Sequence, residues 1–293
     1  MDGETIAQPR QRRLALPGRG PGEMALLDFG PRDRPVDVVF LHANGFNART
    51  YRSILGPLSP TLRIIAADQR GHGATTLPAD PATRADWYDL RDDLLALLDA
   101  LDVHDVTLAG HSMGGCASIL ATAADPARVR DLRLFDPVVV PRPTAAAAQM
   151  NHSPLVEGAR RRRAVFPSRQ AALDAYRGRG AFRTWPEETL ADYVAGGFRD
   201  LPSGEVTLAC DPSWEASNFV SHAHDTIGAL LQLKRPLHIL RAEEASTCRI
   251  DEILPDLEAR SDFAMRTLPG TTHFLPMERP GEVRAALQES RRG

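Results

Sequence analysis

Cysteine is scarce in this 293-residue chain: there are three, Cys116, Cys210 and Cys248, far apart and odd in number. That argues against a disulfide framework, and the lack of any C-x-x-C pair removes the usual zinc and dithiol motifs. Charge of one sign is not in excess. The formal net charge of −3 gives no reason to expect nucleic acid or an anionic membrane as a partner. No apolar run approaches the roughly 20 residues that span a bilayer. Met1–Gly22 is polar, with Pro and Arg where a secretory signal carries its apolar centre. The expectation is a soluble cytoplasmic protein with no stable membrane insertion. At 43% hydrophobic and 25% charged residues the composition is ordinary for a globular chain, long enough for one large domain with an insertion.

What is present is alternation. Met24–Phe29, Val36–Leu41, Leu62–Ala67, Val106–Ala109 and Leu132–Phe135 are short strand candidates, several of them continuous apolar runs of the kind buried in a parallel sheet. Thr50–Leu58 and Trp87–Leu101 read as helices, the second with Leu90, Leu94, Leu95, Leu97, Leu98 and Leu101 at helical spacing. Repeated strand–helix order implies parallel strands joined by right-handed crossovers, whose carboxyl ends collect ligands. The loops 42–46, 68–73, 110–115 and 136–142 all fall at those ends. Residues 1–22 read as a tail, or as a weak strand around Arg13–Leu16. From Val140 to Gln232 the alternation gives way to Arg-rich helical segments with Pro breaks, Pro154–Val165, Ser168–Arg177 and Pro186–Phe198. It resumes with a strand at Pro236–Leu240, a helix at Ile250–Ala259, a strand at Phe263–Leu268 and a helix from Pro280. The expected fold class is α/β: a mostly parallel central sheet flanked by helices, its core at 23–139 and 233–293, with a helical cap inserted at 140–232.

The chemistry centres on Gly110-His-Ser-Met-Gly114, which lies between a strand and the helix-like run Cys116–Ala124. In that context G-x-S-x-G forms a nucleophile elbow. The turn around Ser112 is too tight for bulky neighbours two residues away, hence Gly110 and Gly114. The Met113 N–H then sits at a helix N-terminus, where it can stabilise a developing oxyanion. Ser112 needs a general base, and His273, in the loop after the last strand, is the candidate. The base needs a carboxylate. Asp136, after the strand that follows the elbow, is the leading choice. Glu243 and Glu244, after the 236–240 strand, are the alternatives. Asn44, in the loop His42–Phe46, offers a second oxyanion amide, unless that loop is only a turn.

Other histidines carry less. His72 reads as a bond between loops and His111 as packing within the elbow. His222-Ala-His-Asp225 lacks further ligands for a metal and reads as a surface or cap-lining stretch; no metal site is expected, and the serine chemistry requires no cofactor. The Arg160–Arg163 run is a solvated helix face or the source of an Arg for a substrate carboxylate. Trp185, Trp214 and Phe219 line an acyl pocket or form the cap's own core.

Leu41-His-Ala-Asn-Gly-Phe46, Asp68-Gln-Arg-Gly-His-Gly73, Gly110-His-Ser-Met-Gly-Gly115 and the His273 loop, in that order, resemble the α/β-hydrolase fold with a helical cap, from Met24 to the C-terminus. The resemblance implies Ser112 as nucleophile, His273 as base, and Asn44 and Met113 as oxyanion donors. Ala43 stands where the family often has Gly, and no Asp follows the 236–240 strand. Some members carry the acid after the strand following the elbow, where Asp136 lies. A Ser nucleophile also separates the chain from haloalkane dehalogenases and epoxide hydrolases, which use Asp. The expected activity is hydrolysis of a small or medium carboxylic ester through an acyl-enzyme, on a partly apolar small molecule. Alternatives are a C–C bond hydrolase, a lactonase, an acyltransferase, or a ligand-binding relative without catalysis.

Overall fold

Alternate residues of the central strands face opposite sides of one sheet, and each side has its own apolar partners. In the computed structural model, which describes residues 8–140 and 153–290, the strands are β1 (Arg10–Leu14), β2 (Met24–Phe29), β3 (Val38–Leu41), β4 (Ile64–Ala67), β5 (Val106–His111), β6 (Val129–Phe135), β7 (Val165–Phe166), β8 (Phe198–Asp200), β9 (Val206–Leu208), β10 (Leu237–Ala242) and β11 (Phe263–Leu268). Eight of them form a sheet in the order β1-β2-β4-β3-β5-β6-β10-β11. The β1/β2 and β2/β4 pairs are antiparallel and the rest parallel. Every residue of β3, β4 and β5 is buried, as expected for strands covered on both faces. Val39, Leu41, Ile65 and Leu108 meet the helices Tyr88–Ala100 and Met113–Ala124 on one side. Val38, Phe40, Ile64 and Ala109 meet Tyr51, Ile54 and the helix Pro280–Glu289 on the other.

This order places the site. The chain steps from β3 outward to β4, then returns to lay β5 on the opposite side of β3. Such a reversal opens a crevice at the carboxyl ends of the two strands concerned. The loop 42–46 leaves β3 there and the elbow leaves β5.

Several expectations need correction. The segment 1–22 is not simply a tail, since Arg10–Leu14 pairs with β2 along its whole length. The reason is electrostatic. Asp28 on β2 is 1% exposed and accepts Arg10 at 2.6 Å, Arg12 at 3.3 Å and Arg63 of the loop before β4 at 3.3 Å. Between β6 and β10 the described residues are not only helical, because β7, β9 and β8 form a three-stranded antiparallel sheet. Phe166, Phe198, Val206 and Leu208 turn inward from it and join the second apolar cluster. The helix expected over Pro154–Val165 accordingly ends at Arg160. That expected at Ile250–Ala259 spans only Leu254–Glu258, begun by Pro255 in its first turn. Residues 141–152 of the expected cap, and the end of the 136–142 loop, lie outside the described residues. No helix among the described residues is long and apolar enough to cross a membrane.

Asp28→Ala should release β1. Leaving three arginines without their shared carboxylate is expected to cost about 1–3 kcal/mol, read as a lower urea midpoint and earlier proteolysis near residues 10–20.

Candidate active site

Ser112 occupies a backbone that few side chains accept, with φ 57° and ψ −117°. Its neighbours explain how it is held. A Cβ on Gly110 would overlap the Gly114 carbonyl, and one on Gly114 would overlap the Leu41 carbonyl. The Ser112 N–H donates to Phe135 O at 3.2 Å, and Ser112 O accepts from Val138 at 3.1 Å. The elbow is thus clamped between the ends of β3 and β6. Met113 begins the helix 113–124, whose first N–H groups have no acceptor within the helix.

His273 brings its ring to the serine from the loop after β11. Nε2 lies 2.9 Å from Ser112 Oγ, and Nδ1 lies 2.6 Å from Asp136 Oδ2. Asp136, fully buried and itself at φ 43°, is surrounded by donors. Oδ1 accepts from the Ala242 amide at 3.0 Å and from Ser246 Oγ at 2.5 Å; Oδ2 accepts from the Thr247 amide at 3.0 Å. Burial alone would push this carboxyl up. The hydrogen bond and charge of His273, with the Ser246 and Ala242 bonds, outweigh it and hold the pKa below its ordinary value. An ionised acid, a base with its tautomer set and a hydroxyl within its reach are the parts needed for proton transfer from serine.

The structure gathers Ser112, His273 and Asp136, but not the glutamates. Glu243 turns its carboxylate to the Gly270 amide at 2.8 Å, and Glu244 is exposed on the same loop. The segment after β10, where the sequence reading looked for an acid, instead supplies the Ala242, Ser246 and Thr247 donors that hold one.

Asn44 N–H lies between two occupied amides. Ala43 N–H donates to Tyr51 Oη at 3.2 Å, and Gly45 N–H to His72 Nε2 at 3.0 Å. The Asn44 side chain turns to the segment between β6 and β10, donating to Glu215 O at 3.0 Å and accepting from Asn218 at 2.8 Å. His72 bonds between loops, as read from the sequence.

His111 does more than pack. Nε2 faces the His273 carbonyl at 2.7 Å, and a carbonyl only accepts, so Nε2 carries the proton. Nδ1, 2.7 Å from Tyr51 Oη, must then accept. A directed chain runs from the Ala43 amide through Tyr51 and His111 to the backbone of His273. Sequence reasoning missed Tyr51, Ser246 and Thr247; Tyr51 follows the loop 42–46 by five residues, and Ser246 and Thr247 lie in the segment that leaves β10.

A model of the alpha/beta hydrolase family matches residues 38–286. The chain belongs to that family. Among its relatives, the 2-(acetamidomethylene)succinate hydrolase of Mesorhizobium japonicum is 25% identical over 238 residues, 81% of each chain. A 2-heptyl-3-hydroxy-4-quinolone dioxygenase of Rhodococcus erythropolis is 27% identical over 272 residues, 86% of this chain and 90% of the other. A solved E-2-(acetamidomethylene)succinate hydrolase has the same fold, with a TM-score of 0.80 at 21% identity, covering 97% of this chain and all of its own.

In this alpha/beta hydrolase three imidazoles around the site stay neutral. Burial lowers His42 to about 4 and His111 to about 3, and takes His72 well below its ordinary value. The unfolded chain takes up protons on these groups below pH 6.5 while the native chain refuses them, so stability falls as the pH drops from about 6.5 toward 4. Each imidazole contributes a limiting slope of about 1.4 kcal/mol per pH unit. Urea midpoints at pH 7 and 5 should show the loss, with a shallower slope in His111→Gln. Tyr51→Phe, which interrupts the chain of bonds, should cost about 1–2 kcal/mol at pH 7 by the same measurement.

Proposed function

We propose that this alpha/beta hydrolase cleaves small or medium carboxylic esters through an acyl-enzyme on Ser112. The observation that carries the reading is the continuous line Asp136 Oδ2–His273 Nδ1, 2.6 Å, and His273 Nε2–Ser112 Oγ, 2.9 Å. His273 takes the serine proton as Oγ attacks the ester carbonyl, and Asp136 stabilises the imidazolium. The amides of Met113 and Asn44 receive the oxyanion, and His273 returns the proton to the departing alcohol. Water, deprotonated by the same imidazole, then releases the acid and restores Ser112. Phe46, Trp185 and Phe274 stand together beside His273, Phe46 at 5.2 Å from Trp185 and 6.2 Å from Phe274 between ring centroids. They supply the apolar wall that a partly apolar substrate needs. On this reading residues 140–232 are the cap and set the substrate's shape.

The name of the Mesorhizobium relative favours a second substrate class, an acyl group joined through nitrogen, which the same residues would open in the same steps. The name of the Rhodococcus relative raises oxygen chemistry, and hydrolytic turnover is distinguished from it by being unchanged in anaerobic buffer.

Ser112→Ala should abolish turnover of p-nitrophenyl esters and labelling by a fluorophosphonate; activity kept in this variant sinks the assignment. Asp136→Asn should lower kcat by about 10⁴-fold with KM little changed, by analogy with the loss of the triad Asp in serine proteases. Glu243→Gln and Glu244→Gln should stay near the wild type. Near-wild-type kcat in Asp136→Asn would move the acid elsewhere.

A further inference from the structure

His222 and His224 belong to no metal site: among the described residues no group of three or more His, Cys, Asp or Glu is placed to hold an ion. Yet both rings are buried, at 5.1 and 4.9 Å from the Trp87 ring. Their tautomers follow from backbone partners. His224 Nδ1 accepts the Trp87 N–H at 3.3 Å, so its proton lies on Nε2, which has no partner. His222 Nε2 faces the Phe219 carbonyl at 3.2 Å and must donate, which leaves Nδ1 as an acceptor without a donor. Burial lowers the pKa of both, so neither is charged near neutrality.

Other unpartnered groups stand with them. Trp87 Nε1–H, Asn218 Oδ1, and Nε and Nη2 of Arg84 are all buried without a hydrogen-bond partner. The Arg84 side chain is 2% exposed. Nη1 pairs with Asp89, and the guanidinium lies 4.3 Å over the Trp214 ring. The edge left without a partner, Nε–H with Nη2–H, is one of the two-pronged edges that match a carboxylate. Arg84 is near enough for its charge to oppose protonation of His224 and of His72. Two unpartnered atoms on Arg84 and one on each of four other side chains make six. One buried polar group left unpaired costs about 1–3 kcal/mol, so six in one neighbourhood are an arrangement that calls for a ligand.

Two contacts tie the neighbourhood to the loop 42–46 and to the helix that follows Ser112. Asn218 bonds the Asn44 side chain at 2.8 Å, and Thr226, two residues after His224, lies 3.3 Å from Cys116 Sγ in the first turn of the elbow helix. We propose that Arg84, Trp87, His222, His224 and Asn218 form a subsite for a carboxylate on the acyl part of the substrate, away from the bond that is cut. Among the unpartnered atoms four donors face two acceptors, a balance that suits an acceptor-rich anion, with the two acceptors suited to a neighbouring hydroxyl or amide N–H. Asp89 and Asp86 near Arg84, and Asp225 near His224, are the carboxylates against which a bound anion would compete. The inference rests on the serine-hydrolase reading for its link to catalysis, but not for binding itself.

The test compares 4-nitrophenyl butyrate with the 4-nitrophenyl monoester of glutaric acid, which adds a terminal carboxylate. The wild type should prefer the carboxylated ester by about tenfold or more in kcat/KM, as a charge-assisted bond implies. Arg84→Met should bring that ratio toward one, and Trp87→Phe, which keeps the ring and removes one N–H, should reduce it several-fold. Glutarate should bind the wild type by calorimetry and protect Ser112 from a fluorophosphonate. No preference in the wild type, a ratio unchanged in both variants, or no glutarate binding at millimolar concentration overturns the subsite and leaves ordered water only. If Arg84→Met does not fold, Trp87→Phe decides. Should neither ester nor probe react with the wild type, the hydrolase reading fails instead, and glutarate calorimetry in wild type and Trp87→Phe still decides the subsite.

Discussion

The backbone at Ser112 is the constraint on which the site depends. A non-glycine residue in this region of φ and ψ costs about 1–3 kcal/mol and persists only where its surroundings over-determine it. Here they do: Leu41, Phe135 and Val138 close on the turn from both neighbouring strands, and Gly110, Gly114 and Gly115 leave no side chain to push them apart. The same clamp reaches Asp136, which also has a positive φ and whose amide bonds Leu240 O at 2.8 Å. Two strained residues at adjacent strand ends therefore share one set of backbone bonds. Positioning the serine positions the carboxylate.

The loop 42–46 depends on a different contact. It is held from outside by the segment between β6 and β10: Tyr193 Oη meets Gly45 O at 3.3 Å, Glu215 O accepts Asn44, and Asn47 donates to Tyr193 O at 3.1 Å. Arg162 completes the clasp with Glu215 at 2.5 Å and Tyr193 at 2.6 Å. The basic run at 160–163 thus divides its labour. Arg161 is exposed and pairs with Glu157 on the same helix, whereas both terminal nitrogens of Arg162 are taken up by Glu215 and Tyr193. Trp214 likewise serves the junction, donating to Arg70 O at 3.0 Å and filling the space that Gly71 leaves. Trp185 instead stands in the aromatic group near His273, and Phe219 packs with Val156 and Ala216.

Much of this was legible in the residues because local patterns and distant packing agree. The parallel strands are continuous apolar runs, and the elbow needs Gly at two places on either side of one Ser. The small sheet β7-β9-β8 was not legible, since strands of two or three residues carry no periodicity. β1 was read only as a weak strand around Arg13–Leu16, because the reason for Arg10 and Arg12 lies in Asp28, sixteen or more residues away. Asp136 was favoured over Glu243 and Glu244 but not decided, because strand order alone allows an acid after β6 or after β10 and both places carry one. What distinguishes them in the structure is the contact of Asp136 with His273 Nδ1 and the Ala242, Ser246 and Thr247 donors aimed at it. The buried group around His222 and His224 was invisible for a similar cause: a short H-x-H pattern says nothing of what its rings are stacked against.

Neutral imidazoles around His273 have an electrostatic logic. The His111 ring lies 5.0 Å from that of His273, and a cation there would oppose the imidazolium that the proposed general-base role would create. Burial prevents this by making protonation of His111 unfavourable, and the bonds to Tyr51 and the His273 carbonyl satisfy both of its nitrogens in the neutral state. His42 and His72, whose rings are 5.0 Å apart, are kept uncharged by the same burial and each accepts a backbone N–H. Among these four rings, only His273 faces a carboxylate. A site built this way leaves His273, beside Asp136, as the ring on which the proposed proton transfer from Ser112 would place a positive charge.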